Sequence, residues 1–134
     1  MDAEAAREIA QRFVQFLETG QAPAGLFHPE AFCDYSRPTW RLQARGGDEV
    51  VRLRRENHPD KGSVPRWRCD PTPTGLVVEF EERWGEGEDR RYSREMARLD
   101  VSGSSIVEMS VYCTGDWEPA TEDQHRREVV LLRP

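Results

Sequence analysis

Cysteine is scarce in this chain of 134 residues, and the few it has are scattered. Cys33, Cys69 and Cys113 are odd in number, form no CxxC and make no compact Cys/His cluster. Neither a zinc knuckle nor a thioredoxin-type site is therefore written here. The three read as free thiols that behave as small hydrophobes in a reducing compartment. Histidine is equally sparse: His28, His58 and His125 include no HxxxH pair, so no metal site is expected. No apolar run approaches the roughly 18 residues of a membrane span. The leading stretch MDAEAAREIAQRF carries charges where a signal peptide has its apolar core. Neither GxGxxG nor GxxxxGK[ST] occurs, so no nucleotide cofactor is signalled. Basic residues are outnumbered, 19 against 25 acidic, for a net charge of −6. A nucleic-acid binder would instead show a clustered basic face. These absences leave a soluble, cytoplasmic domain with no cofactor, no metal, no nucleic-acid partner and no membrane.

What is present is enough chain for one domain, residues 1–134, with a core that needs no disulfide or metal staple. In residues 3–19, Ala6, Ile9, Ala10, Phe13, Phe16 and Leu17 recur at three- and four-residue spacing, which predicts an amphipathic helix capped by Asp2 and stopped at Gly20. Gly20–Glu30 reads as a connector with one helical turn near Ala24–Phe27, and Ala31–Ser36 as a short strand. Gly46–Gly47–Asp48 opens a second helix whose apolar side is Val50, Val51 and Leu53, and His58–Pro59 closes it. From Ser63 the period becomes two. Val64–Pro71, Leu76–Trp84, Arg90–Val101 and Ser105–Cys113 read as strands joined by hairpin turns. A short helix near Ala120–Arg127 and an extended VVLL segment follow. Helices first and consecutive antiparallel strands afterwards define an α+β layout.

The segments LFHPEAFCDYS, GGDEVVRLRREN and SIVEMSVYCTGDW, in that order after a long amphipathic helix, make the chain similar to the nuclear transport factor 2-like superfamily, and within it to the SnoaL-like branch. The resemblance runs from about Ala3 to Trp117. It implies a cone: a curved antiparallel sheet wrapped around the N-terminal helices, with a pocket at the open end. It also implies a homodimer through the outer sheet face, and a small, apolar organic molecule as the partner. Family activities include cyclases, isomerases, dehydratases and epoxide hydrolases beside noncatalytic modules, so the fold does not select among them.

The candidate chemistry rests on a few positions. Asp34 at the mouth of an apolar cone would be desolvated and suited to proton transfer, with Tyr35 as a hydrogen-bond donor; alternatively Asp34 caps a turn with Ser36. Strand neighbours face opposite ways, so only one of the two can enter the pocket. Val78 and Phe80 share one face of their strand, Val77, Glu79 and Glu81 the other. Glu79 is a buried base if the second face is concave, and a solvated charge if the first is. Arg68 and Tyr92 are oxygen stabilisers or outer-face pairing residues. The stripe Val107, Met109, Val111, Cys113 is assigned to the concave side against Phe13 and Leu17. Trp40 and Trp117 follow turns and are expected at the mouth, with Trp67 inside. The expected function is cofactor-independent acid–base chemistry of the cyclase, isomerase or dehydratase type on a small organic or polyketide-like substrate. The alternative is a noncatalytic ligand-binding or dimerisation module.

Overall fold

The computed structural model describes residues 1–134. Helix α1 spans Ala3–Thr19. Asp2 accepts a hydrogen bond from the Ala5 backbone N–H at 2.8 Å, which satisfies one of the donors every helix start leaves free. Gly20 ends the helix in the left-handed region (φ 71°), and its N–H closes back on the Phe16 carbonyl. The buried side of α1 is the expected stripe with Val14 added.

Six strands follow: β1 Phe27–Arg37, β2 Trp40–Arg45, β3 Gly62–Pro71, β4 Gly75–Trp84, β5 Arg91–Ser102 and β6 Ser105–Cys113. Helix α2, Gly47–Asn57, sits between β2 and β3, and α3, Pro119–Glu128, follows β6. The sheet order is β2-β1-β6-β5-β4-β3. All neighbours are antiparallel except β1 and β6, which run parallel. The sequence expectation of consecutive antiparallel strands is corrected at that one pair: the chain must cross the whole sheet before β6 returns beside β1.

Strand β2 was not expected, because its apolar alternation is only Leu42 and Ala44 and its turn is Pro38–Thr39 rather than a glycine pair. Thr39 takes the left-handed conformation the turn requires, at φ 60°. Strand β1 begins at Phe27, four residues before the expected start, and the expected helical turn is a single tight turn just ahead of it, closed by the Leu26 N–H on the Pro23 carbonyl at 3.0 Å. The VVLL segment carries no regular structure.

Period two decides what the concave side receives. Leu76, Val78 and Phe80 of β4 and Ala97 and Leu99 of β5 are buried against Phe13 and Phe16 of α1 in one cluster of 20 residues. Truncating Phe13, which meets Phe80 edge-on at 5.9 Å between ring centres, is expected to cost about 3–5 kcal/mol. Two irregularities tune the sheet. One extra residue in β6 between Ile106 and Glu108 lets Ile106 and Met109 both turn inward. One extra residue in the edge strand β3, at Val64–Pro65, places a proline where its missing N–H disturbs no ladder. Gly75 is held to glycine by packing: a Cβ there would stand 1.9 Å from the Leu99 carbonyl oxygen. No helix is long and apolar enough to cross a membrane.

Candidate functional site

Three polar residues are buried, and they adjoin one another: Glu82, Ser93 and Glu95. Glu82 continues the inward series Val78, Phe80 on β4, and Ser93 and Glu95 precede Ala97 and Leu99 on the inward face of β5. Glu82 lies directly across from Ser93 in the ladder, with Glu95 on the diagonal. Both carboxyls therefore project from the same face, at the end of the sheet where the apolar stripe runs out. Ser93 Oγ donates to Glu95 Oε1 at 2.8 Å.

Helix α2 supplies the counter-charge. Val50, Arg54 and Asn57 follow one another at helical spacing on its inner face. Arg54 grips both carboxylate oxygens of Glu82, with Nη1 to Oε2 at 3.0 Å, and Nη2 also donates to the Leu17 carbonyl at 2.9 Å. The fork geometry of a guanidinium suits this two-pronged hold. Burial raises the proton affinity of Glu82, but the Arg54 charge and hydrogen bonds outweigh it and hold the carboxyl below its ordinary value. Glu95 has no cation of its own. Burial first, and then the negative charge of Glu82, push its carboxyl well above the ordinary range. The two carboxyls lie against each other. One carboxylate held ionised beside one carboxylic acid held neutral is a proton-transfer pair written into two neighbouring strands.

Glu95 and Arg54 border a cavity of about 50 Å³ bounded by Phe13, Phe16 and Leu17 from α1, Leu53, Asn57 and His58 from α2 and its end, and the inner face of the sheet, with Glu82 set behind them. Tyr35 lines it from β1, and its hydroxyl meets Cys113. Burial raises the tyrosine's proton affinity, so it remains a neutral donor. His58 packs against Trp84 at a tilt of 54° with ring centres 4.0 Å apart, and its Nε2 is buried without a partner. Burial and the nearby Arg54 charge lower its proton affinity and favour the neutral ring. Burial also pushes the Cys113 thiol up to about 12, which removes it as a nucleophile at neutral pH. No group of three or more His, Cys, Asp or Glu side chains comes together to hold a metal ion.

No protein-family model matches the sequence, and no curated protein matches it. Solved structures do. A nuclear transport factor 2-like protein from Anabaena variabilis superposes with a TM-score of 0.69 at 16% identity, over 84% of this chain and 89% of that one. A candidate ketosteroid isomerase from Kribbella flavida gives 0.61 at 18%, over 97% and 93%. A candidate polyketide cyclase from Xanthomonas campestris gives 0.63 at 11%, over 81% and 90%. The chain has the nuclear transport factor 2-like fold. At these identities the likeness is one of architecture, and site residues are read from this chain alone.

Within that nuclear transport factor 2-like cone, Phe13, Leu17, Tyr35, Met109 and Val111 line the cavity, and Cys113 touches it through Tyr35. The other anticipated positions lie elsewhere. Asp34, next to Tyr35 on β1, faces outward and is gripped by Arg41, with Nε to Oδ1 at 2.8 Å. The Arg41 hydrogen bond lowers its proton affinity, against the expected rise. Glu79 is 42% exposed on the outer face, between Arg68 at 3.8 Å and Arg94 at 3.6 Å. Of the two facings weighed for its strand, the Val78/Phe80 side is the concave one. Arg68, Tyr92 and Trp117 lie over the outer face, where Tyr92 and Trp117 meet edge-on. Trp40 is 65% exposed. Trp67 packs half-buried on the core without bounding the cavity. The cavity is also far smaller than the hollow expected of a small-molecule site, holding about one or two waters.

Glu95, Ser93 and Arg54 were not singled out, and Glu82, noted on its strand beside Glu79 and Glu81, was passed over in favour of Glu79. The signal existed: extending the Val78, Phe80 alternation by two residues reaches Glu82, and stepping back from Leu99 reaches Glu95.

Proposed function

We propose that the domain carries out cofactor-independent acid–base chemistry on a small organic molecule, of the isomerase, cyclase or dehydratase type, at the inner end of the cone. Supporting this most is the burial of two carboxyls in contact, of which only Glu82 has a cation. A neutral Glu95 donates a proton or hydrogen bond to a developing oxyanion in a low-dielectric site, and the Tyr35 hydroxyl adds a second donor. The proton that Glu95 gives to the oxyanion returns to it from the enol oxygen as product forms, while Glu82 stays ionised against Arg54 throughout and so leaves the pair as it began. The apolar walls from α1 and β6 hold the carbon skeleton.

A molecule larger than water needs the cavity to widen, since ligand sites ordinarily span about 300–1,000 Å³. The wall that yields is α2. It buries only Val50, while its later residues Leu53, Arg54 and Asn57, followed by His58, close the cavity. The small cavity also favours a second reading, a noncatalytic module in which the carboxyl pair is a polar support for the fold.

Proton exchange separates the readings. Cyclic ketones and enones in deuterated buffer, followed by proton NMR, should lose the signal of the hydrogens next to the carbonyl faster with the protein than without it. Glu95→Gln should remove that acceleration by at least about 100-fold. Exchange at the buffer rate for every compound, or exchange indifferent to Glu95→Gln, rejects the catalytic reading in favour of the module.

A further inference from the structure

The largest concavity of the molecule is not the cone's interior. A cleft of about 840 Å³ opens over the outer face of β3–β5 and is walled on its far side by α3 and residues 129–134. Its size falls within the range of ligand sites, whereas the interior cavity does not. Its composition opposes that of the chain. Arg66, Arg68, Arg83, Arg94, Arg126 and Arg133 line it against only Glu79, Glu81 and Glu122, a surplus of three positive charges in a protein of net charge −6.

The carboxylates present are already engaged: Glu81 by Arg66 at 3.1 Å and Arg94 at 3.6 Å, and Glu122 by Arg83 at 3.3 Å. At the rim Arg68 pairs with Asp70 at 3.3 Å and Arg126 with Asp123 at 3.3 Å, and Arg66 Nη1 donates to the Pro134 carbonyl oxygen at 3.2 Å, which leaves Arg133 as the arginine of the cleft with no ion pair. Aromatic rings stand beside the charges. Trp117 meets Tyr92 at 5.5 Å and His125 at 5.3 Å between ring centres, and Arg83 covers Tyr92 at 4.4 Å. Val129 and Leu131 add apolar lining.

We propose that this outer cleft is a binding site for a small aromatic oxyanion, with the ring seated against Tyr92 and Trp117 and the anionic group held by Arg133 and the free edge of Arg66. Guanidinium forks match the geometry of phosphate, sulfonate and carboxylate oxygens, and the flat rings match an aromatic ligand. The site is separate from the carboxyl pair, since the sheet itself lies between them.

Calorimetric titration with 1-naphthyl phosphate, 1-naphthol and inorganic phosphate at pH 7 tests both halves of the claim. The naphthyl phosphate should bind at least about tenfold more tightly than either of the others and weaken as salt is raised. The double variant R66Q/R133Q changes two exposed side chains, so the fold should stand, and its affinity for naphthyl phosphate should fall at least about tenfold while that for naphthol holds. Naphthol binding as tightly as its phosphate would reduce the cleft to an apolar surface and overturn the proposal. Undiminished binding of naphthyl phosphate by the double variant would overturn it equally. NMR signals of the arginine Nε–H groups should shift for residues of the cleft, and shifts confined to Arg54 would put the ligand in the interior instead and refute the assignment.

Discussion

Glu82 and Glu81 are neighbours in sequence and opposites in circumstance. Glu81 faces outward, shared between Arg66 and Arg94, which are themselves largely exposed. Glu82 faces inward, locked to a nearly buried Arg54 and in contact with a second carboxyl. The same contrast runs through the whole sheet. Outside, Glu79, Glu81, Arg68, Arg94, Arg98 and Asp100 form a lattice of pairs in solvent. Inside there are only three polar residues in contact. Exposed pairs gain little because water competes and salt screens them, whereas a buried pair must be matched or the fold suffers. The dielectric, set by a one-residue step along a strand, turns an identical side chain from a solubilising charge into a reactive one.

The sharpest way to test this contrast is to unpair the inner charge. Glu82→Gln leaves Arg54 buried without its carboxylate and is expected to destabilise the fold by about 3–5 kcal/mol, lowering the midpoint of thermal unfolding by more than about 10 °C. Replacing both partners by methionine should recover most of that loss, since a matched apolar pair replaces a matched ionic one. If the double variant unfolds as easily as Glu82→Gln alone, the ion pair is not the reason for the sensitivity.

Glu95 gives a smaller effect with a distinctive pH signature. Its proton affinity is higher folded than unfolded, so the folded state binds the extra proton. Stability is therefore unimpaired below the ordinary glutamate value and is lost progressively as pH rises from there towards the folded value. Glu95→Gln removes that loss. Urea unfolding should show the variant close to wild type at pH 4 and more stable by about 1–3 kcal/mol at pH 8, the cost of an unmatched buried group. A variant less stable at pH 8 would mean that Glu95 is ionised and matched in the native protein.

The outer lattice should respond least. Glu79→Gln removes two weak pairs and is expected to change stability by less than about 0.5 kcal/mol, an effect that 1 M NaCl abolishes. A loss as large as that at Glu82 would erase the distinction between the faces.

Much of the architecture could be read from spacing because burial imposes it on every turn of α1 and every second residue of β4–β6. Asp2, Gly20 and the hairpin loops carry their own turn chemistry and mark the ends. Strand β2 was hidden because an edge strand needs little apolar signal and its Pro38–Thr39 turn lacks glycine. The parallel seating of β1 beside β6 is long-range and leaves no local trace. The site was less legible for a related reason. Carboxylates on strands are ordinarily solvated, so Asp34 attracted notice for its position near the predicted mouth, and nothing adjacent in sequence announced that Arg41 would neutralise it. Glu82 and Glu95 required trusting the alternation past the point where it ceases to be apolar. Arg54, 28 residues upstream of Glu82, became their partner only through the packing of α2.

The central claim is that Glu82 and Glu95 form one coupled pair, ionised at Glu82 and neutral at Glu95. Carbon-13 NMR of the side-chain carboxyls across pH measures this directly. The account predicts two midpoints split apart, one below the ordinary glutamate value and one well above it, with the upper step shifting the Glu95 signal and disappearing in Glu95→Gln. Two midpoints both at or below the ordinary value would contradict it and leave the cone without its acid.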